Sequence, residues 1–232
     1  MSTLIVVLKA SDGIILAGDS RGTVGDPRGL TAIRDTETKL FQLSNFAAMG
    51  ISGASELAAS IFDILKPQLE AEKLEHIDEI MNKTRTVVKQ RYDEWFAKFA
   101  VDKRPALFVS LCGYESDRQA GLKPKTYLIG SPLDFAPQLF PDGNCLCGVV
   151  QYAVYLMHRF YNPQMTCEQA SRLAAYLITE TATQDPKVGG PVKMAMLKTT
   201  GFSWIKEDEV KQIVASNAAQ SEKMRDFFGG KP

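Results

Sequence analysis

The chain has 232 residues, 45% of them apolar and 23% charged, with 27 basic side chains balanced by 27 acidic ones. That length holds a sizeable core in one large domain or two small ones, and a net charge of zero lacks the basic excess of a dedicated nucleic-acid binder. Two histidines, His76 and His158, leave little material for a histidine-rich metal site or a Ser-His-Asp triad.

The chain opens on a β-branched, apolar run from Thr3 to Lys9, a turn at SDG and a second run from Ile14 to Ala17. This predicts an N-terminal hairpin buried on both faces. Residues 21–38, rich in Gly, Asp, Arg and Thr, read as a long loop. KLFQL (39–43) and FAAMGIS (46–52) predict a second hairpin, ended by Gly53. Helical spacing follows from Ala54 to about Glu70, and again from about His76 to Phe99. Tyr92, Trp95, Phe96 and Phe99 on that second helix read as a core or subunit-contact stripe. His76, in a charged stretch, reads as solvated, and His158 as a surface or packing residue.

After Pro105, strands are predicted at 106–114 and 125–130, then a loop-rich stretch to about Gly143, then CLCGVV. Helices follow from about Val149 to Phe160 and from about Thr166 to Thr183, the second opened by a capping-box pattern at Thr166 and Gln169. A loop at 184–190, a hairpin of VKMAMLK and GFSWI, and a terminal helix from about Glu207 complete the chain, with FFGGKP as a loose tail. Helices in pairs between antiparallel strand groups predict an α+β fold. Its form is a four-layer αββα sandwich, two antiparallel sheets face to face with helices outside. No Pro/Gly/Ser linker divides the chain, so residues 1–232 read as a single domain.

The start, MSTLIVVLKASDG, has no basic n-region, and no stretch approaches the length of a membrane span. The expectation is a cytoplasmic protein, off the membrane, with reduced cysteines. Cys112, Cys145, Cys147 and Cys167 form no zinc pattern and read as core residues, so neither metal nor cofactor is expected.

Four features stand together in the first 53 residues: Thr3 opening a buried strand, Asp19 in GIILAGDSR, Lys39 in TKLFQL, and Gly53 in GISGASEL. Singly, each has an ordinary reading, as a strand residue, a turn cap, a solvated strand edge or a turn glycine. Together with DGIILAGDSR, TKLF and GISGASEL, and less sharply with MTCEQA and DPKVGG, they resemble the proteasome β-type subunits and their HslV-like bacterial relatives. That family belongs to the N-terminal nucleophile hydrolases. The resemblance implies a threonine-type endopeptidase subunit of a self-compartmentalising ring or double ring, with peptide or unfolded protein as substrate. An ATP-dependent unfoldase is an implied partner, and with no Walker motif here it would be another chain.

The chemistry needs those residue types. A hydroxyl is a poor nucleophile until a base takes its proton, and an N-terminal residue carries such a base in its α-amine. By resemblance, Thr3 is the nucleophile, Lys39 keeps the amine neutral, Asp19 orients the lysine, and the Gly53 N–H stabilises the oxyanion. Asp185 matches a further acid near the amine, and Arg21 the arginine that follows the first acid. Removal of Met1 would expose Ser2 rather than Thr3. Ser2 is therefore the rival nucleophile, although a one-residue slip exchanges the faces of a strand.

Two departures stand out. Where the family places serines beside the amine, this chain has Val149 and Val188, with Cys147 and Gln151 as the nearest polar substitutes. The loop between Asp19 and Lys39 is a few residues longer than usual. These departures keep two other readings open: a peptide ligase or transpeptidase of the same fold, and a catalytically inactive structural ring subunit.

Overall fold

The computed structural model describes residues 3–25, 31–117 and 121–229. Its first hairpin is β1 (Leu4–Ala10) and β2 (Gly13–Gly18), paired so that Ile5 faces Gly18 and Ala10 faces Gly13. A short ribbon follows, β3 (Gly22–Gly25) and β4 (Thr31–Arg34), and then the second hairpin, β5 (Leu40–Gln42) and β6 (Ala47–Gly53). The helices α1 (Ala58–Ala71) and α2 (Ile77–Trp95) lead to β7 (Leu107–Asp117), β8 (Gly121–Gly130), the two-residue β9 (Gln138–Leu139) and β10 (Cys145–Gly148). The chain closes with α3 (Gln151–Phe160), α4 (Cys167–Gln184), β11 (Lys193–Lys198), β12 (Gly201–Trp204) and α5 (Glu207–Gly229).

Two five-stranded antiparallel sheets result, ordered β10-β1-β2-β11-β12 and β5-β6-β7-β8-β9. Strand alternation explains why they stack. Along β1, Ile5 and Val7 pack with Leu40, Ala48, Cys112 and Tyr114 between the sheets. Leu4, Val6 and Leu8 point the other way, into a core shared with α4, whose Ala170, Ala174 and Leu177 meet them. A third apolar layer joins β6 and β7 to α1 and α2 through Met49, Ile51, Ile61 and Val88. Three apolar seams separate four layers, as the alternating hairpins and paired helices predict. All four cysteines are buried, and burial pushes the Cys112 and Cys167 thiols up to about 12.

The structure corrects several details. The segment from 21 to 38 is not all loop, because β3 and β4 pair within it. Residues 26–30, at the tip of that segment, lie outside the described residues, as do Met1, Ser2 and the last three residues of the expected loose tail. The rest of that tail is helix, since α5 runs through Phe227 and Phe228 to Gly229. His76 is half-buried and stacks on Phe46 with ring centroids 5.7 Å apart, rather than standing in solvent. His158 is exposed. The aromatic stripe divides: Tyr92 and Phe96 enter the core, and Trp95 and Phe99 stay about half exposed.

The capping box at Thr166 and Gln169 is formed, with both reciprocal bonds made. Asp12, in the first hairpin turn, adds a second tie to the same helix. Its Oδ1 accepts from the Cys167 N–H at 2.6 Å and its Oδ2 from Lys198 Nζ at 2.7 Å. The Lys198 bond chiefly holds the Asp12 carboxyl down at about 2, against an ordinary 3.8, although burial opposes it. A depressed carboxylate stabilises the fold above its unfolded pKa, and the contribution is lost as pH falls through the native one. Asp12→Asn is therefore expected to cost about 0.5–1 kcal/mol at pH 7, modest because the side chain is partly in water. The difference should close between pH 4 and about 2 in urea titrations. An equal deficit at both pH values would count against this ion pair.

Candidate active site

Asp19 follows the last residue of β2, and Lys39 precedes β5 in the facing sheet. Antiparallel pairing of β1 with β2 brings Asp19 back beside the start of β1, where the Leu4 N–H donates to Asp19 Oδ1 at 3.0 Å. Lys39 Nζ donates to the same Oδ1 at 3.0 Å and to the Arg21 carbonyl at 2.6 Å. Asp19 Oδ2 accepts from two backbone amides, Arg21 at 3.2 Å and Gly189 at 3.1 Å. The Asp19 and Lys39 side chains are essentially inaccessible, at 0% and 1% exposure. Burial pulls the Lys39 pKa below its ordinary 10.5, and the charge and hydrogen bond of Asp19 oppose that pull.

Thr3 is fully buried at the head of this arrangement. Its carbonyl accepts from the Val149 N–H at 2.8 Å. It also lies against Gly148, where a Cβ would stand 1.9 Å from the Thr3 oxygen and 3.4 Å from Ser52 Oγ. The start of β1, the end of β6 and the end of β10 thus meet at Gly148. Gly53 ends β6 with φ +103°, and a Cβ there would come within 2.0 Å of the Ala106 carbonyl oxygen. Glycine is demanded at this position by the neighbouring strand, apart from any need to admit a substrate.

Arg21 is forked onto Asp35, Nε to Oδ1 at 2.9 Å and Nη2 to Oδ2 at 3.0 Å, and its Nη1 donates to the Pro186 carbonyl. The Asp35 bond raises the Arg21 pKa, and the guanidinium lowers that of Asp35. Asp185 caps the end of α4, and its carboxylate accepts from the Lys187 N–H at 2.8 Å, closing its own turn. Val149 and Val188 are both buried in the apolar seam beneath α4. Cys147 faces the opposite seam, its thiol pushed up to about 11 by burial, and Gln151 is exposed at the start of α3. Gly148, Gly189 and Asp35 escape a reading of the sequence. A glycine before a helix or in a GG pair suggests only a turn, and an aspartate in a polar stretch suggests only solvent.

A cleft of about 890 Å³ lies beside the pair, bounded by residues 35–40, by Pro191 and Val192, and by α5 through Val210 and Val214. Neither Thr3 nor Gly53 lines it. Among the described residues, no helix is long and apolar enough to cross a membrane.

Two facing antiparallel sheets enclosed by helices, with the N-terminal strand inside one of them, make this an N-terminal nucleophile hydrolase fold. The proteasome subunit family model matches residues 1–119, just over half of the chain, and the chain belongs to that family, among its β-type subunits. It is 26% identical to the proteasome subunit beta of Methanosphaera stadtmanae over 220 residues, 91% of this chain and 94% of that one. It is 25% identical to the proteasome subunit beta of Streptomyces griseus over 226 residues, 92% of this chain and 75% of the relative. With the Saccharomonospora viridis proteasome subunit beta the identity is 29% over 198 residues, 82% of this chain and 64% of that one.

Proposed function

We propose that the chain is a threonine peptidase subunit of a proteasome-type ring, acting as one domain in the cytoplasm on peptide or unfolded protein. The observation that carries this reading is the buried Lys39–Asp19 pair bonded to the Leu4 amide, one residue from Thr3. Once Thr3 is the first residue, its Oγ1 attacks the scissile carbonyl carbon and its α-amine takes the hydroxyl proton. The Lys39 ammonium keeps that amine unprotonated beforehand and favours the developing negative charge. The Gly53 N–H receives the oxyanion. The amine then passes the proton to the leaving amine, the peptide C–N bond breaks, and an acyl ester remains on Thr3. Water, deprotonated by the same amine, hydrolyses the ester. Asp19, Arg21 and Asp185 hold the surroundings in place.

Register supports Thr3 over Ser2. Thr3 shares the parity of Ile5 and Val7, which face the second sheet, whereas a slip that made Ser2 the equivalent residue would reverse both buried faces of β1. Mass spectrometry of the mature N-terminus tests the reading, together with labelling by an epoxyketone that bridges a hydroxyl and its neighbouring amine. A chain beginning at Thr3 and labelled there is the expected result. A chain that always retains Met1 would sink the mechanism.

A second reading, a structural ring subunit without activity, is favoured by the burial of Val149 and Val188 in an apolar seam, where neither side chain can relay a proton. Absence of labelling on a chain that does begin at Thr3 would select it. The exposed Trp95 and Phe99 suit subunit contacts in either case, and we propose a homo-oligomeric ring, served by a separate unfoldase.

A further inference from the structure

The Arg21 backbone supplies two of the bonds that set the buried pair: its N–H holds Asp19 Oδ2, and its carbonyl holds Lys39 Nζ. Gly189 supplies another, its N–H donating to the same Asp19 Oδ2. Both elements rest on one ion pair. The Arg21 guanidinium is fixed at two points by Asp35, a planar fork that sets orientation as well as proximity. The pair is packed against the glycine loop, since a Cβ on Gly189 would fall 2.6 Å from Arg21 Cζ and one on Gly190 would fall 2.9 Å from Asp35 Cβ. Arg21 also grips that loop directly, donating Nη1 to the Pro186 carbonyl at 3.1 Å. With valines at 149 and 188, those positions offer backbone groups and no hydroxyl. The alignment of the backbone around Asp19 therefore matters more.

We infer that Asp35 is a positioning residue for the Asp19–Lys39 pair, acting on it through the Arg21 fork and the Gly189–Gly190 loop. The inference rests on the peptidase reading above. Asp35 follows the β3–β4 ribbon, in the segment that is longer than the family resemblance would have it, and so ties that ribbon to the catalytic backbone. The ribbon carries a second ion pair, Arg34 with Glu37 at 3.3 Å, which is broken from the Arg34 side because Glu37 also acts on Lys39. It serves as an internal control, because an ion pair that merely pins the ribbon would make the two interchangeable.

The test uses the full chain and measures the epoxyketone labelling rate and a fluorogenic peptide panel from pH 6 to 10. Asp35→Asn is expected to slow labelling about tenfold with KM within about twofold, as a small misplacement of catalytic groups does. The acids acting on Lys39 are Asp19, Glu37 and Asp35, and the Arg21 carbonyl accepts from its Nζ. Removing Asp35 lets Lys39 lose its proton more readily, so the alkaline limb of the rate profile should move to lower pH. Arg21→Gln should slow labelling to the same extent without moving the limb to lower pH, since it removes no acid, and the double variant should be no slower than Arg21→Gln alone. Arg34→Ala should stay within about twofold of wild type, as a surface pair does.

Wild-type rate and pH profile in Asp35→Asn would overturn the inference, as would losses that multiply in the double variant. If Asp35→Asn does not melt cooperatively, Asp35→Glu replaces it. A loss of about threefold is then expected with the alkaline limb unmoved, because glutamate keeps the charge, and a wild-type rate overturns the inference. A wild type labelled no faster than Thr3→Ala removes the peptidase reading, and this inference with it.

Discussion

Lys39→Met is expected to slow Thr3 labelling about a thousandfold, the scale of a lost electrostatic stabiliser, and to cost about 3 kcal/mol of stability. The stability loss follows from what stays behind. Asp19 remains inaccessible and charged, with the amides of Leu4, Arg21 and Gly189 but no cation. Replacing both partners, as in Asp19→Asn with Lys39→Met, should recover most of the stability and none of the activity, because no uncompensated charge is then buried. The pH dependence has a definite sign. Burial holds the Lys39 pKa below 10.5, so the unfolded chain binds this proton more firmly than the native one. Stability from this group therefore rises with pH between the lowered native value and 10.5, and Lys39→Met should lack that rise. Denaturant titrations at pH 7 and 10 measure it. A Lys39→Met protein labelled at the wild-type rate would remove Lys39 from the mechanism.

Gly148→Ala should be nearly as damaging, although Gly148 carries no reactive group. Its φ is +102°, and a methyl there would stand 1.9 Å from the Thr3 carbonyl oxygen and 2.8 Å from the carbonyl carbon. Backbone cannot yield as a flexible side chain does, so either β10 or the head of β1 must move by about 1 Å. A loss of about 3 kcal/mol is expected, combining left-handed strain with the clash. Labelling should fall about a hundredfold, because Thr3 shifts relative to Asp19 and Gly53. Gly121→Ala separates the two causes. Its φ is +76°, with nothing within 4 Å of the added carbon, so it should cost about 1 kcal/mol and leave labelling unchanged. Equal activity in the two variants would show that contact with Thr3 does not matter.

Much of this architecture is legible in the chain itself. The β1–β2 hairpin is apolar on both faces because it lies between a helix layer and a second sheet, and both contacts leave their mark at alternate residues. The capping box marks the start of α4 because it is a purely local exchange of hydrogen bonds. The β3–β4 ribbon is less visible. It belongs to neither large sheet, so no buried face imposes a period of two on its residues. The end of α5 reads as a loose tail because Phe-Phe-Gly-Gly breaks no rule for one, yet the helix continues through both aromatics.

The site divides in the same way. Thr3, Asp19, Lys39 and Gly53 lie within the first 53 residues, on two hairpins whose strands and turns are readable, and their spacing with the family resemblance singles them out; the structure joins Asp19 and Lys39 beside Leu4. Asp35, Gly148 and Gly189 could not be expected. Each owes its place to a partner brought from elsewhere in the chain: the Arg21 fork, the Thr3 carbonyl and the Asp19 carboxylate. Asp185 shows the reverse, an acid whose carboxylate bonds its own turn.

What the sequence determined by itself was the layer order and the chemical types at the head of the first strand, because hydrophobic alternation and residue identity are local properties. What only the tertiary structure decided was how Asp19 and Lys39 are held. The Leu4 and Gly189 amides reach Asp19 only because packing brings them there, and the positions of N–H and C=O groups are written in no side chain.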